Sequence, residues 1–210
     1  MAYRCVTFTA AGFVQQLAVS YVSNGYWFYV TGRVPDHKDP AALDQKIITQ
    51  YGLDISKWER ARRKRSGLAN VQYLRYGRFF AILATHGHHA FFTGEAGQIW
   101  DIRKHPIYFM GYSIGYRQAR NGQTWHASVR IHRGFYSELK ARFETLALQL
   151  PVEELIRELR GIDYEPFAPV RTQLRTILRA VNRKRKTAGL ELVPGQSVYW
   201  RRVPVRPFAA

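Results

Sequence analysis

Six apolar residues in a row, Phe79-Phe80-Ala81-Ile82-Leu83-Ala84, constrain this chain more than any other feature. A strand sends alternate side chains to opposite faces, so a run that is apolar at both parities is apolar on both faces, the pattern of a central strand. FFAILA therefore reads as a central strand, the second half of a stretch of strand character over 71–85. Residues 4–9, 13–22 and 25–34 read as further strands, with Ser23-Asn24-Gly25 as a turn before the aromatic run GYWFYVTGRV. Two helices interrupt them. DPAALDQKIITQYG (39–52) opens on a capping Asp39 with Pro40 at the first helical position and closes on Gly52. Ser56-Lys57-Trp58-Glu59 has the S-x-x-E form of a capping box and starts a short basic helix stopped by Gly67.

The clearest local signal is Asn121-Gly122 between PIYFMGYSIGYRQA and QTWHASVRIH, the pattern of a type I′ hairpin. Pairing Arg120 with Gln123 puts Tyr112, Ile114, Tyr116, Ala127, Val129 and Ile131 on a core face. The other face takes Ser113, Arg117, His126, Ser128, Arg130 and His132. Residues 134–189 are helical throughout, broken at Pro151 and at the Pro-rich joint YEPFAPV (164–170). The tail VYWRRVPVRPF reads as an extended basic arm. These elements predict an α+β fold: an antiparallel sheet, ferredoxin-like or RNA-recognition-like, covered by helices on one side. A core domain over 1–163 would carry a basic helical extension and C-terminal arm over 164–210.

Lys plus Arg number 32 against 15 Asp plus Glu, a formal net charge of +17. On a chain with 46% hydrophobic residues, enough for a packed core, that excess predicts a polyanionic partner: DNA or RNA, at least partly single-stranded. No apolar stretch approaches the ~20 residues of a membrane span. The N-terminal MAYRCVTFTAAGF lacks the apolar core of a signal peptide. One cysteine, Cys5, allows neither an internal disulfide nor a cysteine-based zinc site. A cytoplasmic setting is the expectation, with assembly into a protein complex or homo-oligomer left open.

The candidate phosphate contacts lie in three places. The 57–65 helix has six cations, Lys57, Arg60, Arg62, Arg63, Lys64 and Arg65, against one acid. Arg171, Arg175, Arg179 and Arg183 recur every four residues on a later helix, followed by Lys184, Arg185 and Lys186. Arg117 and Arg130 sit on the polar face of the hairpin. Such contacts position a protein on a backbone without reading bases.

Two further groups bear on chemistry. At the end of the apolar run, ATHGHHAFF puts His86 and His88 on one side of a continuing strand, where they can share a divalent ion with a third ligand from elsewhere. In GFYSELKAR, Tyr136 and Lys140 stand four residues apart near a helix start, a nucleophilic phenol beside a cation. With these two motifs in this order, the chain resembles the HUH endonucleases, the superfamily of replication initiators, relaxases and single-strand transposases. That resemblance implies a ferredoxin-like sheet, a Mg or Mn ion on His86 and His88, and nicking and joining of single-stranded DNA through Tyr136, with Lys140 in support. The chain departs from the family pattern at Gly87, where the family has a hydrophobic residue, and in its Y-x-x-x-K spacing. Two other functions fit the same residues: metal-independent RNA cleavage by a histidine of the sheet, and binding of DNA or RNA without catalysis.

Overall fold

The computed structural model describes residues 3–119, 122–198 and 205–209. The chain divides into two compact units: Met1–Ile107 with Ile114–Ala127 and Val205–Ala210, and Tyr108–Ser113 with Ser128–Pro204.

The first unit runs β1 (Val6–Thr7), α1 (Ala10–Gln15), β2 (Phe28–Arg33), α2 (Pro40–Tyr51), α3 (Lys57–Arg65), β3 (Val71–Tyr76), β4 (Phe79–Ala84), α4 (Ala90–Gly94) and β5 (Trp100–Asp101). The sheet order is β1-β3-β4-β2-β5, so FFAILA is the middle strand, paired with β3 on one edge and β2 on the other. Both of its faces are covered. Ile82 and Ala84 cluster with Ile47 and Tyr51 of α2. On the opposite parity, Phe79 meets the Phe13 ring of α1 edge-on at 5.7 Å. Helices on one side only were expected; a strand apolar at both parities requires the second layer.

Three other expectations change. The sheet is mixed, because β1 runs parallel to β3; a two-residue strand holds too little alternation for its direction to be read. Residues 71–85 form a hairpin, turning at Gly77 with φ 54°. Residues 13–22 are helical: Thr9 Oγ1 accepts from the Gly12 N–H at 2.9 Å, and α1 continues as a π-helical turn (Gln16–Tyr21) and a 3-10 turn (Val22–Asn24). Its buried residues Phe13, Val14, Leu17, Ala18, Tyr21 and Val22 lie on one helical face, and that burial overrides the strand preference of the local composition. The helix 39–52 forms as expected, with Asp39 accepting from the N–H groups of Ala41 and Ala42.

A buried carboxylate ties α2 to the sheet. Asp44, 7% exposed, accepts from Arg75 Nε at 2.7 Å, Arg75 Nη2 at 2.6 Å and the Tyr73 hydroxyl at 2.6 Å. Burial and the Asp44 carboxylate together push the Tyr73 hydroxyl well up, so it stays a donor. Burial, aided by Asp44, likewise pushes the neighbouring Cys5 thiol up to about 11.

The second sheet, β6 (Ile107–Phe109), β7 (Tyr112–Gln118) and β8 (Trp125–Ile131), is antiparallel in the order β6-β7-β8, and the chain passes between the units within these strands. Ala119 N–H bonds Thr124 O at 2.7 Å, in keeping with the expected register; Arg120 and Asn121 themselves lie outside the described residues, as do 199–204 of the expected arm. Tyr112, Ile114, Val129 and Ile131 are buried, and Arg117, His126 and Arg130 are exposed, but Ser128 is buried on what was read as the polar face.

The second unit continues with α5 (Arg133–Gln149), α6 (Val152–Arg160) and α7 (Ala168–Thr187). Phe143 and Ala147 of α5, Leu155 and Leu159 of α6, and Val170, Leu174, Ile177 and Val181 of α7 form one cluster. The segment from 164 onward thus contributes core to the helices before it, because the face of α7 opposite its arginines is continuously apolar.

Replacing Asp44 by Ala strands the Arg75 guanidinium in the interior and is expected to cost about 3–5 kcal/mol, read as a lower urea midpoint of the full chain. Cys5 should resist a thiol reagent at pH 8 in the native protein and label fully on unfolding in urea; rapid native labelling would contradict its burial.

Candidate nucleic-acid interface

Helix α3 is built as its sequence requires. Ser56 Oγ accepts from the Glu59 N–H at 3.1 Å, and Gly67, φ 73°, ends the helical stretch. The helix buries no residue, and Trp58 is 83% exposed. Among the described residues, Arg62 is the one cation of α3 in an ion pair, with Glu59 at 2.5 Å. Arg60 and Arg63 are half-buried. Arg60 Nη2 donates to Leu53 O at 2.7 Å, and its carbonyl accepts from Asn70 Nδ2 at 2.9 Å. Lys57, Arg62, Lys64 and Arg65 are exposed. A cleft of about 590 Å³ opens beside the helix, with Arg4, Lys57 and Arg60 in its wall together with Tyr3 and Tyr21. Burial raises both phenols, Tyr21 to about 12, so they present neutral hydroxyls.

On α7, Arg171, Arg175, Arg179, Arg183, Lys184 and Lys186 are exposed, as expected. Arg185 is not. It is 3% exposed, donating from Nη1 to Ala147 O and Leu150 O, both at 2.9 Å, and from Nε to Glu191 O. It satisfies carbonyls at the C-terminal end of α5, which takes it off the cationic surface. The four-residue repeat of its neighbours hides this, since Arg185 lies two positions out of phase with them. On the hairpin, Arg117 and Arg130 are exposed, and Arg130 Nε lies 3.3 Å from Ser128 Oγ.

Four side chains of the first unit form a stack that the sequence does not display. Ile102 N–H bonds Trp27 O at 2.8 Å, and Tyr116 N–H bonds Ile102 O at 3.4 Å, which draws three distant segments together. The Arg103 guanidinium lies over Trp27 at 4.6 Å. Trp27 packs on Tyr116 at 5.2 Å with planes tilted by 36°, and Tyr116 stacks on Trp125 at 6.0 Å with 18° between planes. Trp27 is pinned by its indole N–H to Val22 O at 3.2 Å. Arg103 is clamped by Asp101, with Nε at 2.9 and 3.1 Å and Nη2 at 2.7 Å from its oxygens. Burial alone would raise the Asp101 carboxyl, but the bonds and charge of Arg103 outweigh it and hold the group below its usual range. The alternation of the hairpin places Tyr116 and Trp125 on one face; Trp27 and Arg103 join only through the sheet.

The histidine cluster lies in the first unit, but not on a strand. β4 stops at Ala84, so strand alternation does not reach His86 and His88. Both are exposed, in a bend where His88 N–H bonds Gly67 O at 3.2 Å and Ala69 N–H bonds His88 O at 3.1 Å. Gly87 has φ 130°, and a Cβ on it would stand 2.6 Å from Ala69 N, so the close passage of the two loops requires glycine. His89 Nδ1 accepts from the Phe91 N–H at 3.0 Å and caps α4. Among the described residues no three His, Cys, Asp or Glu side chains gather as a metal-binding set around His86 and His88 or elsewhere.

Tyr136 and Lys140 lie on α5 in the second unit. The Tyr136 ring packs against that unit's apolar cluster, and Lys140 Nζ is 3.7 Å from Glu144 Oε1. His132, read on the polar hairpin face, caps α5 by accepting from the Gly134 N–H at 3.3 Å. None of the described helices is long and apolar enough to cross a membrane. Comparison with known protein families, with curated proteins and with solved structures finds no match to this chain.

Arg185→Leu leaves three carbonyls without their donor and should lower stability by about 2–3 kcal/mol in urea titration. The exposed neighbour Arg183→Leu should stay within about 0.5 kcal/mol of the parent.

Proposed function

We propose that the protein binds nucleic acid, gripping the phosphate backbone through α3. One observation carries this: a nine-residue helix with six cations that buries no residue at all. Short helices are marginal without an apolar face packed on the rest of the protein, and repeated like charges weaken them further. Helix α3 is held by its Ser56 cap and by two side-chain bonds to backbone carbonyls, Arg60 to Leu53 O and Asn70 to Arg60 O, not by an apolar face. A row of phosphates turns its mutual repulsion into binding energy, through release of the counterions that the nucleic acid holds. The exposed arginines of α7 supply a second cationic face of the same chemistry.

Strand nicking through Tyr136 rests on the family resemblance. The local placement of His86, His88, Tyr136 and Lys140 adds no support to it, whereas α3 carries the binding reading.

The test is a salt titration of binding to DNA and RNA oligonucleotides. Changing Lys57, Arg62, Lys64 and Arg65 together to Gln should weaken binding to all sequences alike and flatten the slope of log K against log salt by roughly 3–4. An unchanged slope would remove α3 from the interface. In parallel, single-stranded DNA with Mn²⁺ should yield no covalent adduct; an adduct lost on Tyr136→Phe would establish nicking instead. RNA cleavage abolished by 2′-deoxy substitution would establish the ribonuclease.

A further inference from the structure

We propose that the Arg103–Trp27–Tyr116–Trp125 stack is a base-stacking site for single-stranded nucleic acid, with Trp125 as its open rung. The proposal rests on the nucleic-acid reading of α3 and names the form of nucleic acid that the first unit takes.

The stack is more than a pair that fastens a hairpin. Tyr116 and Trp125, on neighbouring strands, would stabilise β7 and β8 by themselves. Here a third ring and a guanidinium, from residues 27 and 103, well upstream of Tyr116, extend the pile. Two of the rungs are held by side-chain bonds of their own: Trp27 to Val22 O, Arg103 to both oxygens of Asp101. The pile is thus arranged before any ligand arrives, which lowers the entropy lost on binding. At its end Trp125 remains 49% exposed, a large apolar ring that the fold leaves half in water.

The chemistry selects the occupant. A planar π surface at the end of an ordered stack accepts another planar π system, and every nucleobase offers one whatever its sequence. The chain's net charge of +17 favours a ligand whose bases are strung on an anionic backbone. In a duplex both faces of each base are already stacked, so only an unpaired base can add to Trp125. The site therefore discriminates single strands from duplex without reading sequence, a task phosphate contacts on α3 cannot perform.

The experiment compares the full-length protein with Trp125→Phe and Trp125→Leu, using an oligothymidylate and a duplex of equal length. Phe keeps a ring against Tyr116, while Leu keeps apolar cover without the π face. Binding of the oligothymidylate should quench tryptophan fluorescence in the parent, and much of that quench should vanish in Trp125→Phe. Trp125→Leu should lose roughly ten-fold in affinity for the single strand, Trp125→Phe no more than about three-fold, and neither should change duplex affinity. A purely structural role predicts equal binding by both variants and an undiminished quench in Trp125→Phe; either result overturns the proposal, and the Phe readout decides it should the Leu variant fail to fold. A parent protein that binds neither ligand overturns the α3 reading and this site together. Binding to both ligands with no effect at Trp125 leaves α3 standing and removes only the stack.

Discussion

The strand β4 is paired along both edges and covered on both faces, and most of the first unit follows from that. Its six residues are apolar at both parities, so the sheet they occupy needs a layer on each side; α1 supplies one and α2 the other. The α2 layer is then keyed by Asp44, whose two oxygens are taken by Arg75 and Tyr73 of β3. A carboxylate buried among donors fixes position as well as charge, since sliding α2 along the sheet would leave at least one group desolvated and unpaired. Beyond Ala84 the apolar run is spent. The chain turns under the 67–69 loop at a point where only glycine fits, and the histidines take their places from that turn.

The two cationic helices carry similar charge and stand on different physics. Helix α7 buries Val170, Leu174, Ile177 and Val181 in a core shared with α5 and α6, so its exposed arginines can be the solvated face of a helix that would form regardless. Helix α3 has no such face. Its capping serine and the side-chain bonds of Arg60 and Asn70 to backbone carbonyls hold it, and Lys57, Arg62, Lys64, Arg65 and Trp58 are exposed. That asymmetry leaves the composition of α3 without a packing explanation. Arg185 makes the same distinction within α7: the same residue type, two positions off the stripe, caps a neighbouring helix and is lost to solution.

Where local chemistry decides, the sequence is legible. The Asp39 and Ser56 caps, the Gly52 and Gly67 stops, the central place of FFAILA and the apolar stripe of α7 all depend on residues within a few positions of one another. Where burial decides, it is not. The 13–22 segment has the β-branched and aromatic look of a strand, yet its apolar positions also fit one helical face, and the sheet it packs on selects that alternative.

The candidate site divides along the same line. Charge density on α3 and the common face of Tyr116 and Trp125 on the hairpin can be read from spacing alone. That Trp27 and Arg103 complete the stack depends on hydrogen bonds through Ile102 between segments far apart in the chain. Tyr112 and Trp58 are equally open choices as stacking residues in the sequence, and folding separates them: Tyr112 is buried, its hydroxyl accepting from the Glu165 N–H, while Trp58 is left in water. Propensity, capping and charge are properties of neighbours in sequence, and the sequence by itself determines them. Which aromatic rings stay exposed, which arginine is buried and which rings meet are set by long-range burial and hydrogen bonding, and only the tertiary structure decides those.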